Sequence, residues 1–482
     1  MGLSSIFAHY RSKSLLTALF IFCALPVTGL TALLTPPGQT PDEAAHMIRA
    51  AGLLHGAIIA QKITMPDPNT GKPQQETGVK ADTGLVITSF GITTMTRNHR
   101  PVETEGDFHD MMAEPVNHKL SFFSIPNTAT YFPVPYLPAT LGLFAANLFN
   151  ARPFIALITA RLFMATAFMI IGALALYLAA FGEALLFCVL IMPMTLFLAG
   201  TLNEDGILIP LTCLACALIS RGTRTARWAG LVVFATVLGS KQPYVPLMGV
   251  FLEPLFTTGW VKRLRQVVIA TLPVVLWAII VVLFVAVPFG KPPYHPGPLF
   301  AGPATLMLDH TNVADNLHIL LARPSRFLTL PWRTNMMFGV DLFHQMIGAL
   351  GLLQINLAKP VYWLWEGALL CALLGLAAQS RPTGVPGTRW RDAACTLALI
   401  LLTYWLINIV FYLDWTNVGV AHIDGLQGRY LLPFLPFLLF GLPYLPRLRR
   451  IPMIMGALPA IGLGVFQILY VPKLLASYFY LH

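Results

Sequence analysis

An all-α polytopic membrane protein is the fold class that this 482-residue sequence predicts, and three observations predict it. First, 56% of the residues are hydrophobic and only 11% are charged. Ordinary water-soluble domains carry about 25% charged residues, so too little polar side chain is present to coat a soluble globule. Second, apolar runs near the roughly 20 residues needed to cross the hydrocarbon core recur along the whole chain, which favours helices over a barrel. Third, the cations fall in short clusters between apolar runs: Arg11 and Lys13; Arg221, Arg224 and Arg227; Lys262, Arg263 and Arg265; Arg381, Arg389 and Arg391; Arg447, Arg449 and Arg450. That is positive-inside patterning. It accounts for the formal charge of +10 and leaves no reason to invoke nucleic acid as a partner.

Taken in order, the first apolar run, residues 15–34, reads as a retained anchor. Ala32-Leu33-Leu34 leads into Thr35-Pro36-Pro37 with no small-x-small cleavage pattern. Further spans are predicted near residues 154–179, 184–201, 206–220, 228–240, 244–257, 267–288, 360–378, 393–412, 430–446 and 451–471. They make about eleven helices, with the N-terminus inside and the C-terminus outside, in a single integral membrane domain over residues 1–482.

Two outward regions are too long to be simple connections, and long structured loops carry function. Residues 35–152 open with an amphipathic helix near 41–60 and close on Tyr131-Phe132-Pro133-Val134-Pro135-Tyr136-Leu137-Pro138. The apolar stretch 136–149 is assigned to the outer surface, because a crossing there would place the Arg221 and Arg263 clusters outside. Residues 290–359 hold amphipathic pieces near 316–326 and 341–353 and read as a lid or groove wall. All six cysteines lie in apolar stretches, and Cys213 and Cys216 are one helical turn apart. Small-residue packing explains that pair better than a metal or redox site.

Chemistry is expected at the outer rim. In Thr40-Pro41-Asp42-Glu43-Ala44-Ala45-His46, two adjacent carboxylates stand where membrane meets water, a costly place for ionisable groups. Asp42, His46 and Arg49 fall at i, i+4 and i+7 and share a helical face, with Glu43 about 100° away. A carboxylate, an imidazole and a guanidinium on one stripe suit proton transfer and anion holding. Thr40 and Glu43 also fit a capping box with Pro41 in the first turn, so Asp42 is the favoured chemical group and Glu43 its rival. Asn203-Glu204-Asp205 is a second acidic site, readable as a helix cap or, less favoured, as half of a divalent-cation site for Mg2+ or Mn2+. Lys241-Gln242-Pro243-Tyr244 and Gln427-Gly428-Arg429-Tyr430 supply outer cations suited to phosphate. Arg161 lies inside a span and needs a carboxylate or phosphate partner. Arg49, Tyr136, Arg161, Lys241, Tyr244, Gln427, Arg429 and Tyr430 form the candidate substrate- and phosphate-binding set.

This arrangement resembles the GT-C superfamily of polyprenyl-phosphate-sugar-dependent glycosyltransferases. Within it the chain is most similar to a bacterial predicted membrane protein family, a domain of unknown function. The stretches that carry the likeness are Pro36-Pro37-Gly38-Gln39 running into Thr40 to His46, then Tyr131 to Pro138, Asn203-Glu204-Asp205, Lys241 to Tyr244, and Gln427 to Tyr430 followed by Leu431-Leu432-Pro433. The resemblance implies a GT-C-like fold in a bacterial cytoplasmic membrane and a first-loop acid, Asp42 or Glu43, acting as general base. It implies a polyprenyl-phosphate-linked sugar as donor and a cell-envelope glycan or lipid as acceptor, handled among membrane lipids outside the cytoplasm. A polymerase or ligase of lipid-linked glycans, or a transporter, are the competing readings.

The sidedness is testable. In a cysteine-free background, single cysteines at Gly71 and Asp424 should react with a membrane-impermeant thiol reagent in intact cells, and one at Gly222 should stay unlabelled. Labelling at position 222 would overturn the assignment of the second and third spans.

Overall fold

A computed structural model describes residues 3–66, 71, 73–91, 105–116, 119–252, 259–287, 290–291, 310–381, 389–448 and 453–481. Glu253, His295, Arg449 and Arg450 lie outside the described residues. Among the described residues, six helical segments are long and apolar enough to cross a membrane: Lys13–Leu34, Pro153–Leu178, Trp260–Val285, Lys359–Ala378, Trp390–Asp414 and Met455–Phe479. The chain is a helix-rich, multi-pass membrane protein.

The helices, in chain order, begin with α1 (Leu3–Leu34), α2 (Glu43–Leu54), α3 (Thr83–Phe90), α4 (Glu105–Ala113), α5 (Leu137–Leu148) and α6 (Pro153–Leu178). Next come α7 (Glu183–Leu190), α8 (Pro193–Ala199), α9 (Asp205–Ser220), α10 (Arg224–Ser240) and α11 (Trp260–Ile280). The remainder are α12 (Val313–Ala322), α13 (Arg326–Gly348), α14 (Lys359–Ala378), α15 (Trp390–Asp414), α16 (Leu438–Gly441) and α17 (Met453–Phe479).

The stretches of the five other expected spans form helices shorter than these six or broken elements, and residues 253–257 of the stretch 244–257 lie outside the described residues. The run 184–201 is split into α7 and α8 at Met192–Pro193, where the proline starts a new helix rather than continuing the old one. Residues Gln242–Leu252 and Gly428–Phe437 are 3-10 helices containing Pro246, and Pro433 and Pro436. Each proline removes an N–H that an α-helix would need. Such backbone survives at membrane depth only where protein buries it, and α7, α8 and most of Leu432–Phe437 are buried. By contrast, α11 turns Val268, Leu272, Val275 and Ile279 outward, as a lipid-facing helix does.

At the core, α6 packs on α9, α5 and α1, while α17 packs on α14 and α1, around the fully buried Phe20, Phe168, Phe187, Phe197 and Trp365. One end of this bundle is basic. There Lys13 bonds the Ala179 carbonyl and lies 3.5 Å from Glu183. Arg221 donates to Leu178 O at 3.3 Å, and Gln379 donates to Glu183 at 3.0 Å.

Beyond the other end stands a small outer layer that the all-α expectation did not include. It is an antiparallel sheet, β1 (Gln61–Pro66), β2 (Pro73–Asp82) and β3 (Leu120–Ser124), with Lys62 opposite Thr77 and Val79 opposite Phe123. Polar, proline-bounded strands of this kind lack the long alternation that marks a strand in sequence. The helix expected near 41–60 is the shorter α2, and α5 packs along the first half of α6. In the second outer region the two expected pieces are α12 and the 23-residue α13.

What fixes the outer loop to the bundle is an ion pair. Arg161 on α6 donates from Nε to Glu43 Oε1 at 2.8 Å and from Nη2 to Glu43 Oε2 at 2.7 Å, and both side chains are wholly buried. The same guanidinium reaches the carbonyls of Ala32, Thr35 and Pro36, and Glu43 also accepts from Gly38 N and Leu202 N. Nearly every donor and acceptor on the pair is used, the condition for tolerating buried charge. We expect Glu43→Gln and Arg161→Gln each to cost about 3–5 kcal/mol, since each strands its partner. Thermal unfolding in detergent should show a smaller loss for the double variant Glu43→Gln/Arg161→Gln than for the two single losses added together.

Candidate functional site

The site forms where four chain segments end at the same level: the loop after α1, the α8–α9 turn, the end of α10 and the start of the 3-10 helix at Gly428. Asp42 precedes α2 in the left-handed conformation, φ 61° and ψ 13°, one that Asp tolerates better than most residues. The helix starts at Glu43, not Pro41, and the expected capping box does not form. Glu43 reaches back to Gly38 N, and no hydrogen bond reaches the Thr40 hydroxyl among the described residues. Gly38 has φ +74°, and a Cβ there would come within 2.3 Å of Phe90 O, so the turn accepts only glycine.

Asn203 knits the two acidic loops together. Its Nδ2 donates to Pro41 O at 3.0 Å and its Oδ1 accepts from Asp205 N at 2.9 Å. Asp205 then opens α9, where a carboxylate favours the positive helix end. Lys241, at the C-terminal end of α10, lies 3.0 Å from Glu204 and 3.4 Å from Asp205. It also stands over the rings of Tyr131 and Tyr430, 5.1 and 5.3 Å from their centroids. Arg429 Nη2 donates to Asp42 Oδ2 at 2.9 Å and to the Tyr430 hydroxyl at 3.3 Å, and its Nε is 3.7 Å from Asp205 Oδ2. Gly428 admits this placement by packing rather than by approach to a ligand. A Cβ on it would lie 2.2 Å from Leu342 O and 2.3 Å from Met346 N of α13.

A polar chain enters from the other side. His46 Nδ1 and the Tyr136 hydroxyl are 2.8 Å apart, and Tyr136 donates to Glu204 Oε2 at 3.5 Å. Burial drives the His46 imidazole down to about 4, with the Asp42 charge opposing and the Arg429 charge adding to the effect, so the ring is neutral at pH 7. Burial raises Glu204 against the pull of Lys241, with Asp205 adding to the rise. Asp42 is held below the usual carboxylate range: burial works against ionisation, but the Arg429 charge and hydrogen bond, with the Lys241 charge, outweigh it. Lys241 is raised, burial notwithstanding, by Asp205, Tyr131 and Glu204.

Nine of the sequence-selected residues therefore meet: Asp42, His46, Tyr136, Asn203, Glu204, Asp205, Lys241 and Arg429, with Tyr430 as one wall. Others are placed elsewhere or otherwise engaged. Glu43 and Arg161 satisfy each other, so here neither side chain is free for the base role or the phosphate-binding role expected of it. Arg49 is fully buried and donates to the carbonyls of Ala57 and Ile58 at 3.0 and 2.9 Å, so it clamps the end of α2 rather than an anion. Tyr244 is spent on the Tyr430 carbonyl at 2.9 Å. Gln427 is half-buried beside the site. For a divalent cation, Glu204 and Asp205 would have to converge on the place that Lys241 takes. Among the described residues no three His, Cys, Asp or Glu side chains form a metal-holding group. Tyr131 was missed as a site residue. Its run of aromatics and prolines was visible, but its partner Lys241 is distant in sequence.

Residues 25–438 match the family described as Predicted membrane protein (DUF2142). The chain belongs to that family, whose function is unknown. None of the curated proteins and none of the solved structures gives a significant match.

The neutral histidine yields a pH prediction. His46 titrates near 4 when folded against 6.5 when free, so its contribution is complete above pH 6.5 and is lost as pH falls towards 4. Integrated, that is on the order of 3 kcal/mol. Glu204, raised in the fold, titrates in the opposite sense, so the test compares proteins. The stability advantage of the parent over His46→Gln, read from unfolding midpoints, should shrink between pH 6.5 and 4.

Proposed function

We propose that the protein is a membrane glycosyltransferase that moves a sugar from a polyprenyl-phosphate donor to a cell-envelope glycan or lipid acceptor. The six long spans and the five shorter elements would together make eleven crossings of GT-C type, in the cytoplasmic membrane of a bacterium with the N-terminus inside. The observation that carries this reading is the pairing of Asp42 with Arg429 at 2.9 Å, beside Lys241, at the end of the bundle opposite the basic clusters. Displacing a lipid phosphate from a sugar needs a carboxylate to take the acceptor's proton and cations to steady the departing phosphate. Asp42, with 43% of its side chain accessible, suits the first task. Arg429 and Lys241 suit the second.

A polymerase or ligase of lipid-linked glycans would want more arginines at this rim, whereas Arg152 bonds Met112 O and Arg326 bonds the Tyr412 hydroxyl. The break at Pro193 and the two 3-10 helices favour a lipid or glycan transporter as a second reading, because discontinuous helices line transport sites. Against it, the charges stand at the rim rather than at mid-membrane.

Purified protein in detergent, given a synthetic polyprenyl-phosphate sugar and the same sugar on a nucleotide, should transfer from the lipid donor alone. Asp42→Asn should lower turnover by roughly 100-fold or more with normal protein yield, and Arg429→Ala should weaken donor use more than Arg429→Lys. Equal use of the nucleotide sugar, or full activity in Asp42→Asn, would exclude the reading. Lipid movement across proteoliposomes without transfer would establish the transporter instead.

A further inference from the structure

Arg429 is the most buried cation of the site, with 3% of its side chain accessible. Its Nε and Nη1 carry no hydrogen bond among the described residues. Two guanidinium nitrogens left without a hydrogen bond in a low-dielectric pocket are costly, and an anionic oxygen acceptor relieves that cost. Yet the guanidinium is closed to such an acceptor. Nη2 is taken by Asp42, and the flank at Nε faces Asp205 at 3.7 Å.

The two acids hold Arg429 unequally. Asp205 is 2% accessible, is tied through its backbone N–H to Asn203, and also faces Lys241. Asp42 is 43% accessible, and Arg429 donates the one hydrogen bond its carboxylate receives among the described residues. Its left-handed backbone lies between the Pro36–Pro41 turn and α2, so only its side chain has to move. One acid is a fixed anchor, and the other can swing away at the cost of a single bond.

Resting on the transfer reading above, we propose that Asp42 sits in the seat of a phosphate oxygen on Arg429, and that the donor's phosphate displaces it. The phosphate would engage the unused N–H groups of Arg429 and the nearby Lys241. Asp42, released from the cation, becomes a stronger base because the charge that held its proton affinity down is now neutralised by phosphate. Donor binding thereby switches on the base, and an acceptor hydroxyl arriving without donor meets a carboxylate engaged elsewhere. Ligand and Asp42 compete for one guanidinium, so each weakens the other's hold by the same factor.

The test is binding of geranyl phosphate, with inorganic phosphate as a parallel arm, to the full chain in detergent. Removing the competitor in Asp42→Asn should tighten geranyl phosphate about tenfold, within the usual range of such couplings. Asp42→Glu, which keeps the charge, should stay within a few-fold of the parent. Asp205→Asn removes the same charge but loosens the anchor and should weaken binding. Asp42→Ser serves as a second neutral variant should the asparagine protein unfold. Unchanged or weaker binding by both neutral Asp42 variants would overturn the displacement, as would equal tightening by Asp205→Asn, which would show only a general charge effect. Parental binding by Arg429→Ala would instead remove the phosphate site and with it the transfer reading. Tightening in the geranyl arm alone identifies a lipid phosphate, and tightening in both arms identifies the phosphate group by itself as the displacing ligand.

Discussion

The Glu43–Arg161 pair decides where everything else on the outer rim can be. A charge on α6 at membrane depth must be answered, and its partner comes from the first residue of α2 rather than from solvent. Once Arg161 also binds the carbonyls at the end of α1, the turn from Thr35 to Glu43 has no freedom left. Asp42, adjacent to the anchored residue and forced into a left-handed conformation, must then point away from the pair and towards Arg429. Two neighbouring acids thus divide the work by geometry, one spent on position and the other left half-exposed. That division explains how a chain can keep two carboxylates side by side at the membrane boundary, where each alone is expensive.

Charge balance is the second constraint. Asp42, Glu204 and Asp205 face Lys241 and Arg429, and the surplus of one carboxylate is relieved because burial raises Glu204. Tyr136 and a neutral His46 extend this cluster inward without adding charge. The result is a site close to neutral that contains strongly polar groups, the state in which an arriving anion changes the balance most. Lys241 and Arg429 differ in how they would meet it: Lys241 is a mobile point charge already shared between two carboxylates, whereas Arg429 is a rigid fork with unused donors.

How much of this was legible in the sequence follows from the range of the interactions. The six long spans were readable because a run of apolar residues is a local signal, and their expected bounds fall within several residues of the helices. The larger misses, α1 starting at Leu3 ahead of Arg11 and Lys13, α11 starting at Trp260 and α17 running through Pro472 to Phe479, arise where charges or proline look like ends but are tolerated in an interfacial or lipid-facing helix. The acidic and basic ends of the four rim segments were also readable, since each lies beside an apolar run on the same side. What was not readable is pairing across distance. Nothing local says that Glu43 takes Arg161, 118 residues away, that Arg49 turns to Ala57 and Ile58, or that Tyr131 lies under Lys241. The stripe of Asp42, His46 and Arg49 was the right periodicity applied one residue too early, because Asp42 precedes the helix.

The broken elements and the site belong to one design. At the rim the cations meet the acids at 2.9 to 3.7 Å, and three of the four segments that carry them adjoin irregular backbone. The turn at Pro36–Pro41 folds back over the bundle, Lys241 leads into the 3-10 helix that starts at Gln242, and Arg429 stands in the first turn of the one that starts at Gly428. Gly428, pressed against the backbone of α13, lets that segment enter far enough for the guanidinium to reach both Asp42 and Asp205. The prolines in Gln242–Leu252 and Gly428–Phe437 thus break the α-helix directly beside Lys241 and Arg429, and the burial of Leu432–Phe437 by its neighbours makes that stretch of backbone tolerable in the membrane.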